Sequence, residues 1–237
     1  MDELKGLNRV LLKLSGEALA GEKKTGFDEA TVLGVARQVK TIVDEGIETA
    51  IVIGGGNFWR GRSSGAIERT HADQIGMLAT VMNCIYTSEI FRSLGMQTVV
   101  MTPFQVGSFT ELFSKDKAVE ALKAGKVVFF AGGTGHPYFS TDTGVVLRAI
   151  EMEADEILLA KAVDGVYDSD PNVNPDAKRF DTITIDEVVA KGLGVVDGAA
   201  AVMAKENRVS MLVFKLDGRD SIERAARGDI DGTRVTV

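Results

Sequence analysis

Residues 49–56, TAIVIGGG, set the first constraint on this chain. A strand that is apolar on both faces has to be covered on both, so the run belongs inside a layered structure. Three consecutive glycines then end it. Comparable runs recur at 8–14 (NRVLLKL), 97–101, 126–130 (KVVFF), 156–159, 211–214 and 233–237. Between them the period becomes helical. In 28–45, Val32, Ala36, Val39 and Val43 form one stripe, Asp28 is placed as N-cap and Gly46 as the stop. Further helices are expected at about 73–94, ended by Gly95, at 116–124, closed by Gly125, at about 143–152, and at 186–191, 199–206 and 221–227. Strands alternating with helices imply an α/β chain with a mainly parallel sheet covered on both faces. Residues 164–176 (DGVYDSDPNVNPD) hold two of the four prolines and are expected to be irregular.

With 237 residues and no repeat or linker, one domain is the simpler reading, although residue 164 onward could form a second lobe. The net charge is −7 and no Lys/Arg block occurs, which argues against nucleic acid as a partner. Small anions remain open, because a few cations and backbone amides suffice to bind them. One cysteine, Cys84, and two histidines exclude a disulfide and a cysteine-based or HExxH zinc site. No run approaches the roughly 18 apolar residues of a membrane span, and the start, MDELKG, has no signal-type stretch. The expectation is a cytoplasmic protein without membrane contact. Residues 74–88 hold no charge, which suits a core helix, a helix covered by another subunit, or both.

Walker A and GxGxxG patterns are absent, and the calcium-like start at Asp168 fails at Val173 and Arg179. Three glycine-bearing loops remain, each after an expected strand and therefore at the carboxyl edge of a parallel sheet, where α/β ligands bind. In the first, 13–17, Lys13 precedes a Ser-Gly turn; it either neutralises phosphoryl oxygens or points to solvent. The second, 54–60, sets three glycines before Arg60, for close backbone approach to an anion or simply for a turn. The third, 132–142, combines amides, hydroxyls and Asp142 before a helix; Asp142 is a ligand-side carboxylate or a plain N-cap. His136 has no obvious partner there. The loop 164–170 could set Tyr167 against a base and Asp170 near a ribose or Mg²⁺, or be a solvated turn. A lysine, an arginine and spaced aspartates over phosphate-cradling loops suit phosphoryl transfer, which needs positioning and charge neutralisation.

KLSGEAL at 13–19, VIGGGNFWRG at 52–61, IGMLATVMN at 75–83, GTGHPYFSTDT at 133–143 and VDGVYDSDP at 163–171 together resemble the bacterial uridylate kinases of the amino acid kinase superfamily. The likeness runs in order over nearly the whole chain. It implies a three-layer αβα sandwich and the reaction ATP + UMP → ADP + UDP with Mg²⁺, bound mainly through the nucleotide phosphates rather than by a protein metal site. It also implies a homohexamer with GTP and UTP as effectors, and a single kinase domain with a UMP lobe at about 1–160 and an ATP lobe at about 161–237.

Carried over residue by residue, Lys13, Leu14, Ser15 and Gly16 hold ATP phosphates. Gly56 and Arg60 lie between donor and acceptor, and Ala162, Tyr167 and Asp170 sit at the ATP nucleoside. Gly55 and Asp73 bind UMP together with Thr134, Gly135, His136, Pro137, Tyr138, Phe139, Ser140 and Thr141. Asp142 and Asp197 resemble the family's carboxylates that orient the lysine and the metal. His136 stands where many relatives have asparagine, and Ser88, Glu89 and Arg92 do not reproduce the charged set associated with the GTP site. Lys161 is read as a second phosphate cation or an adenine-side contact. A monophosphate has its second pKa near 6, so its attacking oxygen needs no base and Asp142 is assigned to orientation. Other readings are a silent nucleotide-binding domain, a kinase of the same superfamily acting on acetylglutamate, carbamate or aspartate, and, more remotely, a dehydrogenase.

Overall fold

A computed structural model describes residues 7–59 and 67–237. Its strands are β1 (Arg9–Leu14), β2 (Glu48–Ile53), β3 (Thr98–Thr102), β4 (Glu111–Leu112), β5 (Val127–Phe130), β6 (Glu156–Lys161), β7 (Val166–Tyr167), β8 (Arg179–Phe180), β9 (Thr182–Thr184), β10 (Met211–Lys215) and β11 (Gly232–Thr236). Its helices are α1 (Gly16–Ala20), α2 (Glu29–Asp44), α3 (Arg69–Ser93), α4 (Lys115–Lys123), α5 (Thr141–Glu151), α6 (Ile185–Ala190), α7 (Gly198–Asn207) and α8 (Ser221–Ala226).

Nine of the described strands form one sheet in the order β4-β3-β5-β2-β1-β6-β10-β11-β9, and every pairing is parallel except β10 with β11. β1 lies centrally, with Leu12 opposite Ile51 on one side and Leu158 on the other. Alternation divides its side chains between two cores. Leu11 joins Ala50, Val52, Ile157 and Leu159 under α4, α5, α6 and α7. Val10, Leu12 and Leu14 join Ile51, Ile53 and Leu158 under α2, α3 and α8. The apolar strands are thus buried on both faces because each face has its own helical layer.

Helix ends follow local chemistry. The Asp28 side chain accepts from Thr31 N at 2.9 Å, and Gly46 turns the chain with φ 90°. Helix α3 starts at Arg69, ahead of the expected start, with Glu68 accepting from Thr70 N. Its apolar character serves two faces. Ala79, Asn83, Cys84 and Thr87 are buried, while Ile75, Leu78, Met82 and Ile85 are exposed. The segment expected to be irregular contains β7, hydrogen-bonded antiparallel to β8. No helix among the described residues is long and apolar enough to cross a membrane.

Candidate active site

Parallel strands deliver the ends of β1, β2, β5 and β6 to one edge, and the glycine loops meet there. Lys13, on β1, faces Asp142 in the first turn of α5, with Nζ 3.1 Å from Oδ1. Both side chains are mostly buried. Asp142 Oδ1 has no aligned hydrogen bond, so the contact is an ion pair. The N-cap of α5 is Ser140, whose Oγ accepts from Thr143 N; the N-cap alternative for Asp142 is corrected by that arrangement. With the cap filled two residues earlier, Asp142 is directed at the lysine.

The three glycines depart from expectation in cause. None of Gly54, Gly55 and Gly56 has positive φ. A Cβ at Gly55 would stand 2.9 Å from Gly76 O and 3.0 Å from Ala79 Cβ, so Gly55 is required by the approach of α3. A Cβ at Gly56 would stand 2.7 Å from Glu17 Oε1. Behind the loop lies a buried amide pair that the sequence reading passed over. Asn57 Nδ2 donates to Asn83 Oδ1 at 3.0 Å, and Asn83 Nδ2 donates to Asn57 Oδ1 at 2.8 Å and to Gly54 O at 2.7 Å. A Cβ at Gly16 would collide with Asn57 and the Gly54 carbonyl, so the first loop abuts the second without room for a side chain. The Leu14 side chain is fully in the core, and its carbonyl accepts from Gly54 N. Ser15 caps α1 by accepting from Ala18 N.

A cleft of about 240 Å³ opens beside the ion pair. Gly55, Gly56, Asp73, Thr134, His136, Phe139, Ser140 and Thr141 line it, joined by Trp59, Arg69 and Thr80. Gly135, Pro137 and Tyr138 are not among its lining residues. Trp59 Nε1 donates to Ala72 O at 2.8 Å, and Gly132 N donates to Thr80 Oγ1 at 2.8 Å; these bonds tie both loops to α3. Asp73 Oδ2 accepts from Arg69 Nε at 2.7 Å and from Tyr138 N at 2.8 Å. Tyr138 takes φ 72°, unusual for a non-glycine residue, under the Arg69 guanidinium 5.1 Å from its ring centre. Arg60 lies outside the described residues.

Of the expected donor-side residues, Tyr167, Asp170, Ser15 and Ala162 divide between two further clefts, Gly56 lines the first cleft, and Lys13, Leu14 and Gly16 line none of the three. One of the two further clefts, of about 510 Å³, is lined by Tyr167, Asp170, the 191–195 loop and Lys161. The other, of about 650 Å³, is lined by Ser15, Ala162, Asp217 and again Lys161. Tyr167 Oη donates to Asp164 Oδ1 at 2.8 Å, and Arg179 Nη1 lies 3.0 Å from Asp164 Oδ2. Asp170 Oδ1 accepts from Asn172 N at 2.9 Å and so shapes its own turn.

Asp197 has a different setting from Asp142. It caps α7, accepting from Ala199 N at 2.9 Å and Ala200 N at 3.1 Å. The Ser140 hydroxyl donates to Oδ2, and the Thr143 hydroxyl donates to the same carboxylate at 3.0 Å. Burial works to raise its pKa, but the bonds from Ser140, Ala200, Thr143 and Ala199 outweigh it and hold the carboxyl below its usual value. Asp197 therefore staples α7 to the start of α5, the turn that carries Asp142. Neither Asp197 nor the amide pair could be placed from spacing, since their partners lie 54 or more and 26 residues away.

Residues 8–215 match the family model described as the amino acid kinase family. A solved UMP kinase from Bacillus anthracis is 37% identical, with a TM-score of 0.94 over 98% of this chain and 97% of that one. A UMP kinase from Ureaplasma parvum is 32% identical, with a TM-score of 0.92 over 97% and 99%. The uridylate kinase from Archaeoglobus fulgidus, 24% identical with a TM-score of 0.71 over 96% and 99%, bears on the fold alone.

Proposed function

The chain belongs to the amino acid kinase family, and from that premise we propose that it transfers the γ-phosphoryl group of ATP to UMP, giving ADP and UDP. The observation that carries this reading is the likeness to two UMP kinases over 97% or more of the chain. The geometry at the sheet edge agrees in kind. The Lys13 ammonium is poised to neutralise charge on the transferring group, and Asp142 orients it. Asp73, on the wall of the smaller cleft, is placed to accept hydrogen bonds from a ribose, and the 134–141 loop offers amides and hydroxyls to a base and a phosphate.

The described residues hold no group of three or more His, Cys, Asp or Glu side chains suited to a metal. Mg²⁺ would ride on the nucleotide phosphates, with Asp142 as the carboxylate at that edge. When bound, it spreads and neutralises phosphate charge. In this reading the enzyme works in the cytoplasm, supplies pyrimidine nucleotide synthesis, and responds to GTP and UTP. It assembles as a homohexamer, with Ile75, Leu78, Met82 and Ile85 of α3 as one contact face. A single kinase domain carries the acceptor side at about 1–160 and the donor side at about 161–237.

The test is ADP release from MgATP with UMP, CMP, dUMP, acetylglutamate and carbamate as acceptors. UMP is expected to be the best by a wide margin. Release with UMP no faster than with acetylglutamate would overturn the reading.

A further inference from the structure

The sheet edge carries a second ammonium close to the first. Leu11 and Leu159 share one core cluster, and Lys13 pairs with Leu159 across β1 and β6. Alternation along each strand puts Lys13 and Lys161 on that same face, where α5 brings Asp142. Lys161 is half-buried, and its Nζ makes one hydrogen bond, 2.9 Å to the carbonyl of Val195. An ammonium has three donors. No carboxylate oxygen among the described residues lies within 4.0 Å of it, whereas Lys13 has Asp142. Burial and then the Lys13 charge push the Lys161 pKa down, while Asp142 draws it up, so both charges act on it. Two ammonium groups thus stand on one face with a single carboxylate, which pairs with Lys13, in a partly desolvated place, and that favours binding of an anion there.

Lys161 also lines both donor-side clefts, the one with Tyr167 and Asp170 and the one with Ser15 and Ala162. We propose that Lys161 is a second phosphate-binding residue of the donor site, its ammonium hung from the Val195 carbonyl and turned to a nucleoside triphosphate. The alternative contact with the adenine is disfavoured by its nearness to Lys13 and Asp142, which belong to the transfer end. This inference rests on the reading of the chain as an ATP-dependent kinase. It adds a cation that belongs to this chain's own sequence.

The experiment measures binding of ATP and of adenosine, without acceptor, to the wild-type chain and to Lys161→Met, Lys161→Gln and Lys161→Arg. Gln keeps a donor for Val195 without the charge, and it replaces Met should Met fail to fold in a thermal melt. Loss of a charge-assisted bond should weaken ATP binding about tenfold or more, with adenosine affinity unchanged and Arg recovering much of the loss. Equal weakening of ATP and adenosine would mean that Lys161 only holds the 195 loop, and the proposal would fall. Unchanged ATP affinity would also remove it. A wild-type chain that binds ATP but does not phosphorylate UMP would remove the acceptor reading and leave this one standing.

Discussion

Lys13 Nζ and Asp142 Oδ1 stand 3.1 Å apart at the carboxyl edge of the sheet, in an ion pair built from β1 and the first turn of α5. In the proposed reaction the acceptor phosphate is largely deprotonated at neutral pH, which would leave Asp142 an orienting task. Asp142→Asn should lower kcat by about 10²-fold and leave the shape of the pH–rate profile unchanged. Disappearance of an acidic limb in the variant would instead make Asp142 a general base.

The buried amides Asn57 and Asn83 satisfy each other, and Asn83 also satisfies the Gly54 carbonyl behind the glycine loop. Asn83→Leu removes the donor to that carbonyl and to Asn57 Oδ1, while Asn57 Nδ2 keeps the Gly26 carbonyl at 2.8 Å. A loss of about 2–3 kcal/mol is expected, read from urea denaturation, together with weaker binding of both nucleotides because Gly55 and Gly56 lose their backing. A stable variant with unchanged KM values would show that the loop is held by other contacts.

These two cases mark what was legible in the sequence. Strand runs such as KVVFF and the stripe Val32-Ala36-Val39-Val43 are local, so burial on both faces and helical period could be read directly. The convergence of the three glycine loops followed from a parallel sheet. The reason for the glycines did not: Gly16 and Gly55 answer to Asn57, Gly54 O, Gly76 O and Ala79, contacts that arise only when α3 packs against the loop. The cap of α5 at Ser140 rather than Asp142 was equally hidden, because Ser140, Asp142 and Thr143 all suit a helix start and only the Lys13 and Asp197 contacts separate them. The two-residue strands β4, β7 and β8 lack any period to detect.

The Asp197 staple predicts an acid dependence. Its folded pKa lies below the ordinary 3.8, so folding is favoured by the ionised carboxylate. That contribution is complete above the unfolded pKa and is lost as pH falls through the lower folded value. The stability difference between wild type and Asp197→Asn should therefore be constant from about pH 5 to 7 and shrink below about pH 4, measured by denaturant unfolding at each pH. A difference that varied between pH 6 and 7 would place the relevant titration on another group.

At the opposite edge of the sheet, Arg234 Nη1 donates to Glu156 Oε1 at 2.6 Å, and Glu156 is 1% exposed with its other oxygen unpartnered. Burial raises the Glu156 pKa, and Arg234 opposes that rise. Removing the arginine strands a buried carboxylate, so Arg234→Met should destabilise the fold by about 3 kcal/mol at pH 7. The folded pKa of Glu156 would climb further in the variant, and protonation would then relieve the defect. The loss should accordingly be largest at neutral pH and diminish as pH falls toward the carboxyl range. KM values should not move, because the clefts proposed for the nucleotides lie at the carboxyl ends of the strands. A loss of equal size at pH 5 and pH 7 would assign the effect to packing of the arginine stem instead of to the charge it neutralises.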